Sequence, residues 1–70
     1  MRCLVTWFDE NGEVADMIEA SYLRAISLLK REKCKEAKIP GALENLRLTG
    51  AKAIFYTKNG CRVEFEKVKG

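Results

Sequence analysis

From Leu4 to Ala20, and again from Ile54 to Phe65, short apolar runs flank an Asn-Gly dipeptide, in "WFDENGEVAD" and "FYTKNGCRVEF". Asn-Gly between strand-forming runs favours a two-residue type I′ turn, because both central residues must adopt positive φ. Each half of the chain therefore predicts a β-hairpin. Between them the period changes, and Tyr22, Ala25, Ile26 and Leu29 recur at the spacing of one helix stripe, with Leu23 at its edge. Ser21 is placed to cap the first turn, and the spacing predicts a helix over Tyr22 to Ala37. The "IPG" motif at Ile39 to Gly41 is expected to end it, since Pro40 disfavours helix at the residue before it. In "ALENLRLTG" a strand is expected from Leu46 to Thr49, ended by Gly50, with a short helical turn before it as the alternative. The predicted architecture is α+β, an antiparallel sheet of four to five strands from two hairpins, packed on one face by a single helix.

A two-residue loop fixes which side chains share a face, because strands alternate with period two. In the second hairpin it opposes Lys58 to Cys61, Tyr56 to Val63 and Ile54 to Phe65, an apolar set assigned to the core. Phe55 then points away from the helix beside Glu64, with Thr57 beside Arg62. In the first hairpin Trp7 faces Asp16, Val5 faces Ile18 and Cys3 faces Ala20. Assigning Val5, Trp7, Val14 and Ile18 to the core leaves Leu4, Phe8 and Met17 with Phe55 on the outer face. An apolar outer face on so small a protein predicts a docking surface or a dimer contact.

Length and composition narrow the picture. Residues 1–70 form a single domain, and a chain of this size buries only about 60% of the surface its unfolded form exposes, so the core is small. An apolar content of 47% without low-complexity tracts indicates a folded domain. No apolar run approaches the roughly 20 residues that span a bilayer. "MRCLVTWFDENGE" turns acidic too early for a signal peptide, so a cytoplasmic location and no membrane partner are expected. Cys3, Cys34 and Cys61 are odd in number and form no CxxC pair, which predicts reduced thiols and neither a disulfide framework nor a zinc knuckle.

The net charge of +3 resides in one segment, "KREKCKEAK" from Lys30 to Lys38, with acids and bases balanced elsewhere. On a helix, Arg24, Ser27, Arg31, Lys35 and Lys38 fall within an arc of about 80° that no acidic residue interrupts. Arg31 and Lys35 are like charges at i, i+4, a pairing that costs the helix roughly 0.2–0.5 kcal/mol. The stripe is either a solvated helix end or a contact for an anion or a partner. Arg62 and Phe55, close together on the predicted outer face, supply a second candidate, opposed by Glu64 and Glu66 beside them. The candidate partner-binding residues are thus Arg24, Arg31, Lys35, Lys38, Phe55 and Arg62.

Chemistry beyond binding has little to build on. Histidine is absent, the carboxylates are scattered and no glycine-rich phosphate loop occurs, so neither metal nor cofactor is expected. Cys34 sits among cations that would lower its pKa, but no residue completes a nucleophilic site. The chain is not expected to be an enzyme.

The run "IEASYLRAISLLKREKC", followed later by a hairpin on "TKNG", resembles small phage-encoded ββαββ proteins, including a family of type I-F anti-CRISPR inhibitors. Ile18, Glu19, Ala20, Leu23, Ala25, Glu32 and Cys34 carry the similarity, over about a quarter of the chain and with spacing off by one residue within the helix. The resemblance implies a compact inhibitor that docks on a host nucleic-acid-handling complex without catalysis of its own. The expected function is accordingly a small non-catalytic binding protein that acts on a protein or ribonucleoprotein partner. The alternative is a direct DNA- or RNA-binding module using the basic helix face. A homodimer through the outer face or a free strand edge is a further arrangement the pattern allows.

Overall fold

The structure is a computed structural model that describes residues 1–31, 39–57 and 59–68. Its elements in chain order are β1 (Arg2–Phe8), β2 (Val14–Ser21), α1 (Tyr22–Arg31), α2 (Ile39–Thr49), β3 (Ala53–Tyr56) and β4 (Arg62–Val68). The strands form one antiparallel sheet in the order β2-β1-β4-β3, so the two hairpins meet along β1 and β4. Both helices lie on one face. Ala25 and Leu29 of α1 and Leu43 and Leu46 of α2 are buried against Cys3, Val5, Ala53, Phe55, Val63 and Phe65 of the sheet. This is the predicted α+β class, with two helices in place of one.

α1 begins where the sequence places it. The Ser21 hydroxyl accepts the Arg24 N–H at 3.2 Å and so satisfies a first-turn amide that has no carbonyl within the helix. The stripe of Tyr22, Ala25, Ile26 and Leu29 faces the sheet, while Leu23, at its predicted edge, is exposed. The second helix corrects the expected strand at Leu46 to Thr49. Leu43 and Leu46, one turn apart, are both fully buried, a burial that helical spacing delivers and strand alternation does not. Ile39 and Pro40 are helical, in the first described turn of α2, a place where helices tolerate proline; the expected end of the first helix at Ala37 lies outside the described residues. Gly50, at φ +76°, closes α2 by donating its N–H to the Leu46 carbonyl at 3.0 Å.

Both hairpin loops are three residues long, not two. Asp9 N–H donates to Glu13 O and Gly12 N–H to Asp9 O; Thr57 N–H donates to Cys61 O and Gly60 N–H to Thr57 O. Gly12 and Gly60, each at φ +81°, hold the left-handed position that such a loop requires. In the first hairpin a bulge between Trp7 and Phe8 leaves Ala15 without an opposite residue and restores the pairing of Trp7 with Asp16, Val5 with Ile18 and Cys3 with Ala20. No bulge compensates in the second. Phe55 pairs with Val63 and Tyr56 with Arg62, one residue out of the expected register, and every side chain of β3 changes face. Phe55 is therefore in the core at 6% exposure, edge-to-face with Phe65 at 5.6 Å between ring centres. Ile54 and Tyr56 are the exposed pair.

Candidate docking surface

The helices leave the other face of the sheet uncovered, and the pairing registers lay out its side chains as cross-strand rows. Nearest the hairpin loops, Val14 lies opposite Phe8, with Arg62 opposite Tyr56 on the neighbouring strands. The next row runs Met17, Thr6, Glu64, Ile54, and the one after it Glu19, Leu4, Glu66. The two rows near the loops carry exposed apolar side chains at Val14, Met17, Ile54 and Tyr56 around half-buried Phe8. Thr6 is buried between Met17 and Glu64 despite its outward direction, so the neighbouring side chains close over the strand. Val14 is exposed here, a correction to its assignment to the core, whereas Val5 is fully buried and Trp7 and Ile18 pack against the core.

At the centre of the patch a charged group is held in place from several sides. The Arg62 guanidinium lies over the Phe8 ring at 4.1 Å from the ring centre, a cation–π contact that orients the guanidinium. Its Nε is 2.7 Å from Glu64 Oε2, but the N–H is buried and aimed at no acceptor, so the contact is ionic rather than a directed hydrogen bond. Lys52 Nζ lies 2.7 Å from the other Glu64 oxygen. The hydrogen bond from Lys52 is the main reason that the Glu64 carboxyl is held below the usual carboxylate range, and the same bond holds the Lys52 ammonium above its ordinary value. Farther from the loops Arg2 pairs with Glu19 at 2.6 Å. The outer face thus compensates most of its own charge and leaves an apolar surface around a fixed Arg–Glu pair.

The predicted site residues do not come together. Arg24 and Arg31 are exposed on α1 and neither is paired with a carboxylate among the described residues; with Ser27 they form the expected stripe, on the helix side of the molecule. Lys35 and Lys38 lie outside the described residues. Arg62 is on the opposite side, on the sheet's outer face. Phe55, expected beside it, is buried between the two layers, and Phe8 takes its place against Arg62. Val14, Ile54 and Tyr56 are the patch residues that the sequence pattern assigns to the core instead. The exposure of Ile54 and Tyr56 follows from the three-residue loop ending in Gly60, a length that the Asn-Gly dipeptide does not fix.

Among the described residues no group of cysteine and carboxylate side chains is placed to hold a metal ion, and no helix is long and apolar enough to cross a membrane. Cys3 and Cys61 are free thiols, and burial pushes the Cys3 thiol above its ordinary pKa. Comparison with protein-family models, with curated proteins and with solved structures gives no match. The fold and the surface therefore define a two-layer α+β domain with one sheet face open.

Proposed function

We propose that this chain is a non-catalytic binding protein that docks on a protein partner through the loop-proximal half of its outer sheet face. The single observation that carries the reading is the uncovered patch of Phe8, Val14, Met17, Ile54 and Tyr56 around the Arg62–Glu64 pair. Aromatic residues, Met and Arg are the side chains enriched in protein interfaces, and an apolar centre with its charges already paired loses little on leaving water. A polyanion would find no net positive field there, because the two cations Arg62 and Lys52 are balanced by Glu64 and by Glu66 one row away. The resemblance to phage-encoded inhibitors makes a host nucleic-acid-handling complex the first partner class to test.

A photo-reactive side chain at position 17, tested against one at position 27 on α1, examines the reading. One protein species is expected to cross-link at position 17, displaced by excess unlabelled wild type but not by the Val14→Glu, Met17→Glu variant. Cross-linking at position 27 alone, or displacement by both competitors, refutes it. A second reading, direct nucleic-acid binding, is favoured by the exposed Arg24 and Arg31 on α1, which pair with no carboxylate among the described residues. It requires a log affinity for duplex DNA that falls linearly with log salt, by about 0.9 per phosphate neutralised. Arg24→Glu with Arg31→Glu should then flatten that slope.

A further inference from the structure

The two edges of the sheet differ in how they treat their free main-chain groups. Tyr22 N–H donates to Met1 O, a bonded pair that continues the β1–β2 register. By the antiparallel alternation, Ala20, Ile18 and Asp16 bond toward β1, and Met17 and Glu19 direct N–H and C=O away from the sheet. On the other edge Thr57 N–H bonds Cys61 O, so Phe55 and Ala53 bond toward β4 and Ile54 and Tyr56 direct theirs outward. The β2 edge is guarded. The Asp16 carboxylate accepts the outward Met17 N–H at 2.8 Å, and the bulge at Ala15 twists the strand beside it. Among the described residues no side chain bonds the outward main-chain groups of β3, and its outward residues carry exposed apolar side chains.

We propose that β3 is a self-pairing edge, and that a second copy of this chain adds to it antiparallel about a two-fold axis through Phe55. In that register Ile54 of each copy lies opposite Tyr56 of the other, and each such pair exchanges both of its outward main-chain bonds. The facing side chains are β-branched and aromatic, the combination that antiparallel strands favour across a pair, and symmetry supplies it twice. Because the Asp16 carboxylate and the bulge at Ala15 blunt the β2 edge, association ends at the dimer instead of running on into a fibre. The outer faces of the two copies become one surface. This pairing shares Ile54 and Tyr56 with the docking patch but is read as the mass of the chain alone, whereas docking is read at position 17, so either can fail while the other holds.

The test is sedimentation of the full chain from micromolar to millimolar concentration. The wild type is expected to shift from monomer to dimer mass and no further. Ile54→Pro removes an outward N–H that no strand within the chain uses, so it should stay monomeric, with a dissociation constant raised at least about tenfold. A wild type that stays monomeric at millimolar concentration overturns the proposal, as does a dimer that survives Ile54→Pro. Should the proline variant not fold, Ile54→Lys with Tyr56→Lys must abolish the dimer, and Ile54→Lys with Tyr56→Glu must retain it. Equal behaviour of these two variants overturns the register.

Discussion

Replacing Phe55 and Tyr56 in turn by leucine separates two registers of the second hairpin that differ by a single residue. In the observed register Phe55 is 6% exposed and edge-to-face with Phe65, whereas Tyr56 is 62% exposed. Phe55→Leu removes that aromatic pair, worth about 0.5–1.5 kcal/mol beyond area burial, and leaves a gap that the small core fills only in part. A loss of about 1–2 kcal/mol is expected. In a domain of this size about 1 kcal/mol moves the midpoint by roughly 4–8 °C, so the melting temperature should fall by roughly 4–16 °C. Tyr56→Leu, at the surface, should stay within about 0.5 kcal/mol of wild type. Thermal unfolding followed by circular dichroism at matched protein concentration reads both. If Tyr56→Leu proves the more damaging, the two-residue loop is correct and the assignment of the outer face collapses.

Other consequences are as direct. Ser21→Ala should cost about 1 kcal/mol by removing the oxygen that accepts the Arg24 N–H, measurable as a lower denaturant midpoint with unchanged slope. Gly60→Ala meets nothing within 4 Å of the added methyl, so its whole penalty, about 1 kcal/mol, comes from the backbone at φ +81°; Gly41→Ala, in open space inside a helix, should instead stabilise in the same assay. The Glu64 carboxyl titrates below its unfolded value, so its contribution is present above about pH 4.3 and is lost as pH falls through the depressed folded value. Lys52→Ala removes the main cause of that depression and should flatten the acid limb of a melting-temperature profile; parallel profiles for the two proteins would show that the ion pair does not set it.

How far the sequence could be read depends on where two structural offsets happened to cancel. The β1–β2 pairing follows from a two-residue turn on Asn11 and Gly12 although the turn is longer by one, because the bulge at Ala15 subtracts what the loop adds. The same reasoning fails at Asn59 and Gly60, where no bulge intervenes, and there it exchanges the core and surface roles of Phe55 and Tyr56. Asn-Gly serves both loop lengths, so the dipeptide marks a turn without measuring it. In "ALENLRLTG" the leucines fit both periods: Leu46 and Leu48 alternate like a strand, while Leu43 and Leu46 lie one helical turn apart. Burial of Leu43 and Leu46, with Leu48 exposed, decides for the helix. The stripe of Arg24, Ser27 and Arg31 was legible because one amphipathic helix on a sheet has only one solvent side. The outer patch was legible as a surface and at Phe8 and Met17, but not at Val14, Ile54, Tyr56 or Phe55, whose faces rest on the hairpin registers.

The most direct measurement of the docking claim is the affinity for the cross-linked partner of three proteins side by side: wild type, Val14→Glu with Met17→Glu, and Arg24→Glu with Arg31→Glu. All four positions are exposed, so each variant should retain the fold. Docking through the outer face predicts a loss of at least about tenfold for the first variant and a change within about threefold for the second. The reverse order would contradict the account and move the contact to α1.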